Sequence, residues 1–394
     1  MIYKKLMLTL FLMLLVVIPS SAGGATTNSP RDYWPTESWF SSPPAEQDMN
    51  PTKIEAMINY IQEQHLAVDS VLIVRHGYIV HESYFNTQQD TPHLIYSCTK
   101  SIVSALIGIA IHEGYIESVD QKVLDFFPER NISNVDSRKQ AMTLEHLLSM
   151  TSGLEWNELA VSYANSQNNY NKLVSSADWV QYVLDRPMVA EPGTVWTYNS
   201  GVSHLLSAIL TKTTGNSTLA FAQKYLFEPL GISTVYWSTD PQGIFFGGSS
   251  IRLTTRDMAK FGYLYLNNGT WDEEQLVPAD WVTKSTGKFI AIDSYTEYGY
   301  QWWIFPQLEV YLGIGYAGQR IIVIPKYDIV TVFTASTGQD GLDSYNLISN
   351  YIISAADSHS SNSYSTSYAI VLVLPGLFAL VCWQKKVKKS IKDQ

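Results

Sequence analysis

Residues His93 to Gly114 read HLIYSCTKSIVSALIGIAIHEG, and the stretch SIVSALIGIAI within them is apolar or small on nearly every side of a helix. A helix with no polar face is stable only when other elements enclose it. The rest of the chain must therefore wrap around this segment. With 394 residues, 46% of them hydrophobic, it has the material for a sizeable core.

The same helix opens with Ser97-x-x-Lys100. Residues i and i+3 lie on one helix face, so Lys100 reaches the Ser97 hydroxyl. Unpaired N–H groups at a helix start favour a developing oxyanion. Burial lowers a lysine pKa, which lets a neutral Lys100 accept the serine proton. A capping serine and a snorkelling lysine fit the same residues. Such a spacing also arises by chance. The copy STGK, Ser285 to Lys288, contains Gly287, precedes no apolar helix and reads as a surface loop. The residues alone leave both readings of Ser97 open.

Around this helix the elements alternate in type. TKIEAMINYIQEQH has helical periodicity, and SVLIVRHGYIVHESYF forms a hairpin turning at His76-Gly77. From about 120 to 241 helices and loops dominate, and TTRDMAKFGYLYLNNG follows as a helix with Thr254 and Asp257 as a capping pair. YGYQWWIF, VYLGIGY, QRIIVIP and DIVTVFTA read as strands, and GLDSYNLISNYIISAA as a closing helix. The fold class is α/β in the α+β sense. One antiparallel sheet, made from the early hairpin and the late strands, is flanked by helices, with a helical lobe at about 120–241 beside it. A site is expected in the cleft between them.

The termini differ from this body. Lys4 and Lys5, an apolar run from Leu6 to Ile18 and small residues to Ala22 match a signal peptide at 1–22, with an uncleaved anchor as the alternative. A polar extension at 23–50 leads into a domain at 51–357, and a Ser/Asn-rich linker follows at 358–367. YAIVLVLPGLFALVCW at 368–383 reads as a transmembrane helix with a basic cytoplasmic tail at 384–394. The expected location is the cell membrane, single-pass, with the domain extracellular. Seven of the 26 basic residues and one of the 36 acidic ones lie in the terminal segments, so the body carries about −16. Nucleic acid is an unsuitable partner for that surface. Cys98 and Cys382 stand on opposite sides of this division and cannot pair, and no metal or other cofactor is implied.

Two distant stretches bear on Ser97. EPGTVWTYNSG puts Tyr198 just before a helix, and YLGIGYAGQR puts Gly318 on a strand, where the missing side chain permits close approach of a substrate. With MTLEHLLSMTSGLEW, GGSSIRLTTRDMAKFGYLYLNNGTW and YGYQWW in the same order, the chain resembles the serine β-lactamase and penicillin-binding superfamily. The likeness is to its class C, D-alanyl-D-alanine carboxypeptidase and esterase side, and WTYNSG is most similar to the nylon-oligomer (aminohexanoate-dimer) hydrolase type. The resemblance implies Ser97 as acylated nucleophile and Lys100 as its proton acceptor. It implies Tyr198 as base when phenolate and as acid when phenol, with Lys100 as the cation beside it. The N–H groups of Ser97 and Gln319 would form the oxyanion hole.

Two departures shape the expected substrate. Ser200 stands where many relatives have an asparagine that contacts substrate, and Tyr316-Ala317-Gly318 replaces Lys-Thr-Gly or His-Thr-Gly. A site lacking that cation and hydroxyl loses its hold on a substrate carboxylate, unless Arg320 supplies one from an irregular strand. The expected substrate is an ester or small linear amide, in a cleft lined by Ser200, Tyr316, Gly318 and Trp302, although Trp302 and Trp303 fit the core equally well. A D-alanyl-D-alanine carboxypeptidase or β-lactamase is the alternative. A non-catalytic binding protein of the same fold is a second alternative.

Overall fold

The computed structural model describes residues 31, 33–336 and 342–357. The expected signal peptide, the linker, the segment at 368–383 and the basic tail lie outside the described residues. Among the described residues no helix is long and apolar enough to cross a membrane.

Among the described residues eight strands form the main sheet: β1 (Ser70–Arg75), β2 (Tyr78–Tyr84), β3 (Ile290–Ala291), β4 (Glu297–Tyr298), β5 (Trp303–Phe305), β6 (Val310–Gly315), β7 (Gln319–Ile324) and β8 (Ile329–Thr334). Their spatial order is β2-β1-β8-β7-β6-β5-β4-β3, and every pairing is antiparallel. The early hairpin therefore joins the late strands through β1 and β8, with Ser70 opposite Thr334 and Arg75 opposite Ile329. His76 and Gly77 both have positive φ, 52° and 89°, the geometry that matches a two-residue turn to the twist of its strands.

Side chains alternate across this sheet with the period of two that strands impose. Leu72, Val74, Ile321, Val323, Val330 and Val332 join one core cluster. Val71, Ile73, Ile322, Ile324, Ile329 and Phe333 join the other. Helix α1 (Pro51–Glu63) covers the second face through Ile54, Met57 and Ile61, beside the C-terminal helix at 344–357, whose middle, Leu347–Ile353, is π-helical. The first face carries α2 (Cys98–His112), and beyond it α3 (Ser200–Thr214) of the helical lobe. Helix α4 (Thr255–Leu266) also packs on this face, capped by Thr254, whose oxygen accepts from Asp257 N.

Enclosure of α2 extends to all but its last two residues: every residue from Cys98 to Ala110 is buried. Gly108 inside it costs helix propensity, about 1 kcal/mol relative to Ala, but a methyl there would sit 2.3 Å from Trp281. Gly114, at φ 76°, follows the helix end as expected. The STGK segment is not a surface loop. Ser285 is buried in the helix Ala279–Thr286, which Trp281 and Val282 anchor, and Lys288 beyond it pairs with Glu297 at 2.7 Å.

Candidate functional site

The approach to Ser97 is built from backbone. His93–Leu94 pairs with Arg252–Leu253, Ile95 N donates to Ile251 O at 2.9 Å, and Tyr96 then turns through a left-handed φ of 46°. That conformation costs a non-glycine residue roughly 1 kcal/mol. It sets Ser97 at the N-cap position, just before α2, where its side chain does not cap the helix. Glycines of β6 admit this helix start to the sheet. A methyl on Gly315 would lie 2.3 Å from Ile95 O, and one on Gly313 would lie 3.2 Å from Ser101 Oγ.

Lys100 is 2% exposed, which excludes a snorkelling lysine. Its Nζ lies 3.0 Å from Ser97 Oγ, 3.0 Å from Ser200 Oγ and 2.6 Å from Gly248 O. Burial pushes its pKa down to about 8, with Glu158 pulling the other way. An appreciable neutral fraction therefore faces Ser97 near neutral pH. The Tyr198 ring centroid is 4.9 Å from Lys100 Nζ. Burial among Trp196, Trp303 and their neighbours raises the Tyr198 pKa well above that of a free phenol, against the lowering influence of the Ser97 side chain. The proton of this pair thus rests on Tyr198, and the arrangement offers a neutral amine as base and a phenol as acid. Burial works against the phenolate form anticipated for acylation.

Ser200, expected against substrate, is 1% exposed and turned inward: besides Lys100, its Oγ bonds Glu158 Oε1 at 2.6 Å. Glu158 is the site residue that the sequence reading missed, a carboxylate 2% exposed that Ser200 links to Lys100. Gly248, the carbonyl on Lys100, was missed as well. No spacing marks either residue, although the Gly247-Gly248 doublet is a trace. A methyl on Gly248 would lie 2.8 Å from Ser200 O, so close packing on α3 requires glycine there.

The opposite wall is the turn between β6 and β7. Gly318 is not on a strand: it ends the tight turn Tyr316–Gly318 with φ 106°, after Ala317 at 64°. A methyl on Gly318 would point at Ala335, 3.2 Å away, so the glycine serves the turn and not a substrate's approach. Tyr316 is 41% exposed, edge-on to Tyr96 and Tyr163 at ring separations of 5.5 and 5.6 Å. Gln319 opens β7, and its carbonyl lies 3.7 Å from Cys98 Sγ, which sets this backbone against the start of α2. Arg320 is no carboxylate anchor: its guanidinium donates to Ser344 Oγ and to the carbonyls of Gly315 and Gln319. Trp302 is fully buried among Phe261, Tyr265 and Tyr311, so it lines no cleft, whereas half-buried Trp303 packs on Tyr198.

A serine held by a buried lysine and a tyrosine, between a sheet and a helical lobe, defines a serine hydrolase of the Ser-x-x-Lys class. The beta-lactamase family profile matches residues 54–349, and the chain belongs to that family. It is 24% identical over 360 residues to the 6-aminohexanoate-dimer hydrolase of Paenarthrobacter ureafaciens, covering 81% of this chain and 90% of that protein. Among solved structures, a Bacillus anthracis protein with the provisional name 6-aminohexanoate-dimer hydrolase superposes with a TM-score of 0.69 at 22% identity, covering 82% of this chain and 88% of that one. A family VIII carboxylesterase superposes with a TM-score of 0.62 at 15% identity, covering 81% and 98%. At these identities the structural likeness establishes the fold: an antiparallel sheet flanked by helices.

Proposed function

We propose that this hydrolase cleaves an ester or small linear amide through an acyl-enzyme on Ser97. Neutral Lys100 takes the Ser97 proton as Oγ attacks the carbonyl carbon, and the N–H groups of Ser97 and Gln319 hold the resulting oxyanion. The Tyr198 phenol protonates the departing alcohol or amine, which leaves the acyl group on Ser97. Water then attacks that acyl group, its proton passing to the Tyr198–Lys100 pair, and Ser97 leaves carrying a proton from it.

The observation that carries the substrate class is the wall opposite Ser97. Tyr316 and Ala317 supply neither the cation nor the hydroxyl that would hold a carboxylate, and Arg320 is engaged behind the turn. The names of the relatives are compatible: the Paenarthrobacter protein is called a 6-aminohexanoate-dimer hydrolase, and a Burkholderia gladioli relative, 24% identical over 189 residues, is called an esterase. The test is turnover of a panel of p-nitrophenyl esters, linear amides, a penicillin and a D-alanyl-D-alanine peptide. Ester or amide turnover that Ser97→Ala abolishes supports the reading; faster penicillin or peptide turnover refutes it.

We further propose that the domain is exported and tethered, from the leader at 1–22 and the apolar segment at 368–383 followed by lysines. Carbonate-resistant membrane association that is lost on truncation after residue 357 supports the tether. Full-length protein released by carbonate contradicts it.

A further inference from the structure

Glu158 is held with unusual completeness for a residue with no assigned role. Its Oε2 accepts from Trp156 Nε1 and from Ser200 N, each at 2.8 Å. Its Oε1 accepts from Ser200 Oγ at 2.6 Å and from Tyr163 O–H at 2.8 Å. Four donors thus fill about the four acceptor sites a carboxylate offers. Stability alone does not ask for this, because replacing a buried charged pair with apolar residues is often neutral or stabilising. The arrangement has a consequence at the amine. A hydroxyl has one proton, and an ionised carboxylate only accepts, so the Ser200 proton is committed to Glu158.

We propose that Glu158 is a positioning residue: by taking the Ser200 proton it turns the Ser200 oxygen into an obligatory acceptor for Lys100, which leaves the Lys100 lone pair aimed at Ser97. The inference rests on Ser97 as nucleophile. A neutral lysine has two hydrogens and one lone pair. Ser200 Oγ and Gly248 O, both acceptors toward it, take the two hydrogens. The lone pair is left for Ser97 Oγ at 3.0 Å. Were the Ser200 proton to point at Lys100 instead, it would occupy that lone pair, and an N–H would face the nucleophile. Glu158 thus fixes hydrogen placement at the base without touching substrate.

Glu158→Gln tests this because the two sides of the carboxylate differ. The side facing Trp156 Nε1 and Ser200 N meets two N–H donors that cannot reverse, so the amide oxygen settles there. The amide nitrogen then faces two hydroxyls, Ser200 and Tyr163, that can rotate. The Ser200 proton is thereby driven toward Lys100, with the side-chain volume almost unchanged. Loss of the charge also acts on every titrating group that senses it: Lys100 on α2, Tyr163 and Tyr170 of the helical lobe, Tyr198 before α3, and Tyr298 in β4. For Lys100 the Glu158 charge raises the pKa, so its removal moves the titration to lower pH.

The experiment measures the rate of Ser97 phosphonylation by a neutral fluorophosphonate across pH 6–10, on the full-length protein in detergent. Wild type, Glu158→Gln, Ser200→Ala and the double variant are compared, with melting temperature recorded for each. Glu158→Gln is expected to lower the high-pH plateau at least tenfold and to move the midpoint to lower pH. In the Ser200→Ala background, the same change should lower the plateau no further, since both act through one hydroxyl. A wild-type plateau in folded Glu158→Gln overturns the proposal, as do additive losses in the double variant. If Glu158→Gln does not fold, Ser200→Ala alone decides: its plateau must fall several-fold, and a wild-type plateau overturns the relay. Label that persists in Ser97→Ala removes the nucleophile reading itself, an outcome distinct from failure of the relay.

Discussion

The most quantitative consequence of the site is the pH dependence of Ser97 acylation. Lys100 is almost wholly buried, and that burial brings its pKa down to about 8. Only the neutral amine accepts the serine proton, so the rate follows that fraction: about 1% at pH 6, about 9% at pH 7, about 50% at pH 8 and about 90% at pH 9. The rate should rise roughly fiftyfold from pH 6 to pH 8 and only about twofold from pH 8 to pH 9. A lysine at its ordinary value would instead gain roughly tenfold over that last interval. A fluorophosphonate isolates the step, because fluoride leaves without needing a proton from Tyr198. Stopped-time labelling followed by intact mass gives the rates. A tenfold rise between pH 8 and 9, or a flat profile from 6 to 8, would rule out Lys100 as a base of lowered pKa.

Other expectations follow from packing. Lys100→Met should abolish labelling while leaving the melting temperature within a few degrees, because relief of a buried charge, up to about 3 kcal/mol, offsets the stranded Ser200 and Gly248 acceptors. Gly108→Ala places a methyl 2.3 Å from Trp281 and should destabilise by about 2–4 kcal/mol, read by urea denaturation. Cys98, whose thiol burial pushes up to about 12, should resist iodoacetamide in the native protein and react once urea unfolds it.

Much of this architecture was legible because it rests on patterns with a fixed period. The all-apolar face of α2 required enclosure, and the His76-Gly77 doublet fixed a turn whose strands the late β8 then met. Ser97 and Lys100 share a helix, so their proximity follows from the helical repeat. Tyr198 was reachable through the resemblance alone, since nothing local ties it to Ser97. What escaped depends on contacts between segments. Glu158 reaches Ser200 across 42 positions of chain, and a carboxylate in a loop carries no spacing to announce that contact. Gly318 read as strand because its neighbours alternate, yet a three-residue reversal at positive φ intervenes. Trp302 and Trp303 are adjacent and opposite in fate, one in the core and one against Tyr198. Period two predicts that they diverge but not which one faces the site.

The most direct test of the central account treats the full-length protein with a fluorophosphonate and, in parallel, with a penicillin, wild type beside Ser97→Ala, and reads the mass of intact protein and of the peptide bearing residue 97. Stoichiometric phosphonylation at Ser97 is expected, with none in the variant and neither a lasting penicillin adduct nor penicillin turnover. Penicillin acylation of Ser97 would contradict the reading of Tyr316-Ala317. Absence of any Ser97-dependent label on folded protein would contradict catalysis itself.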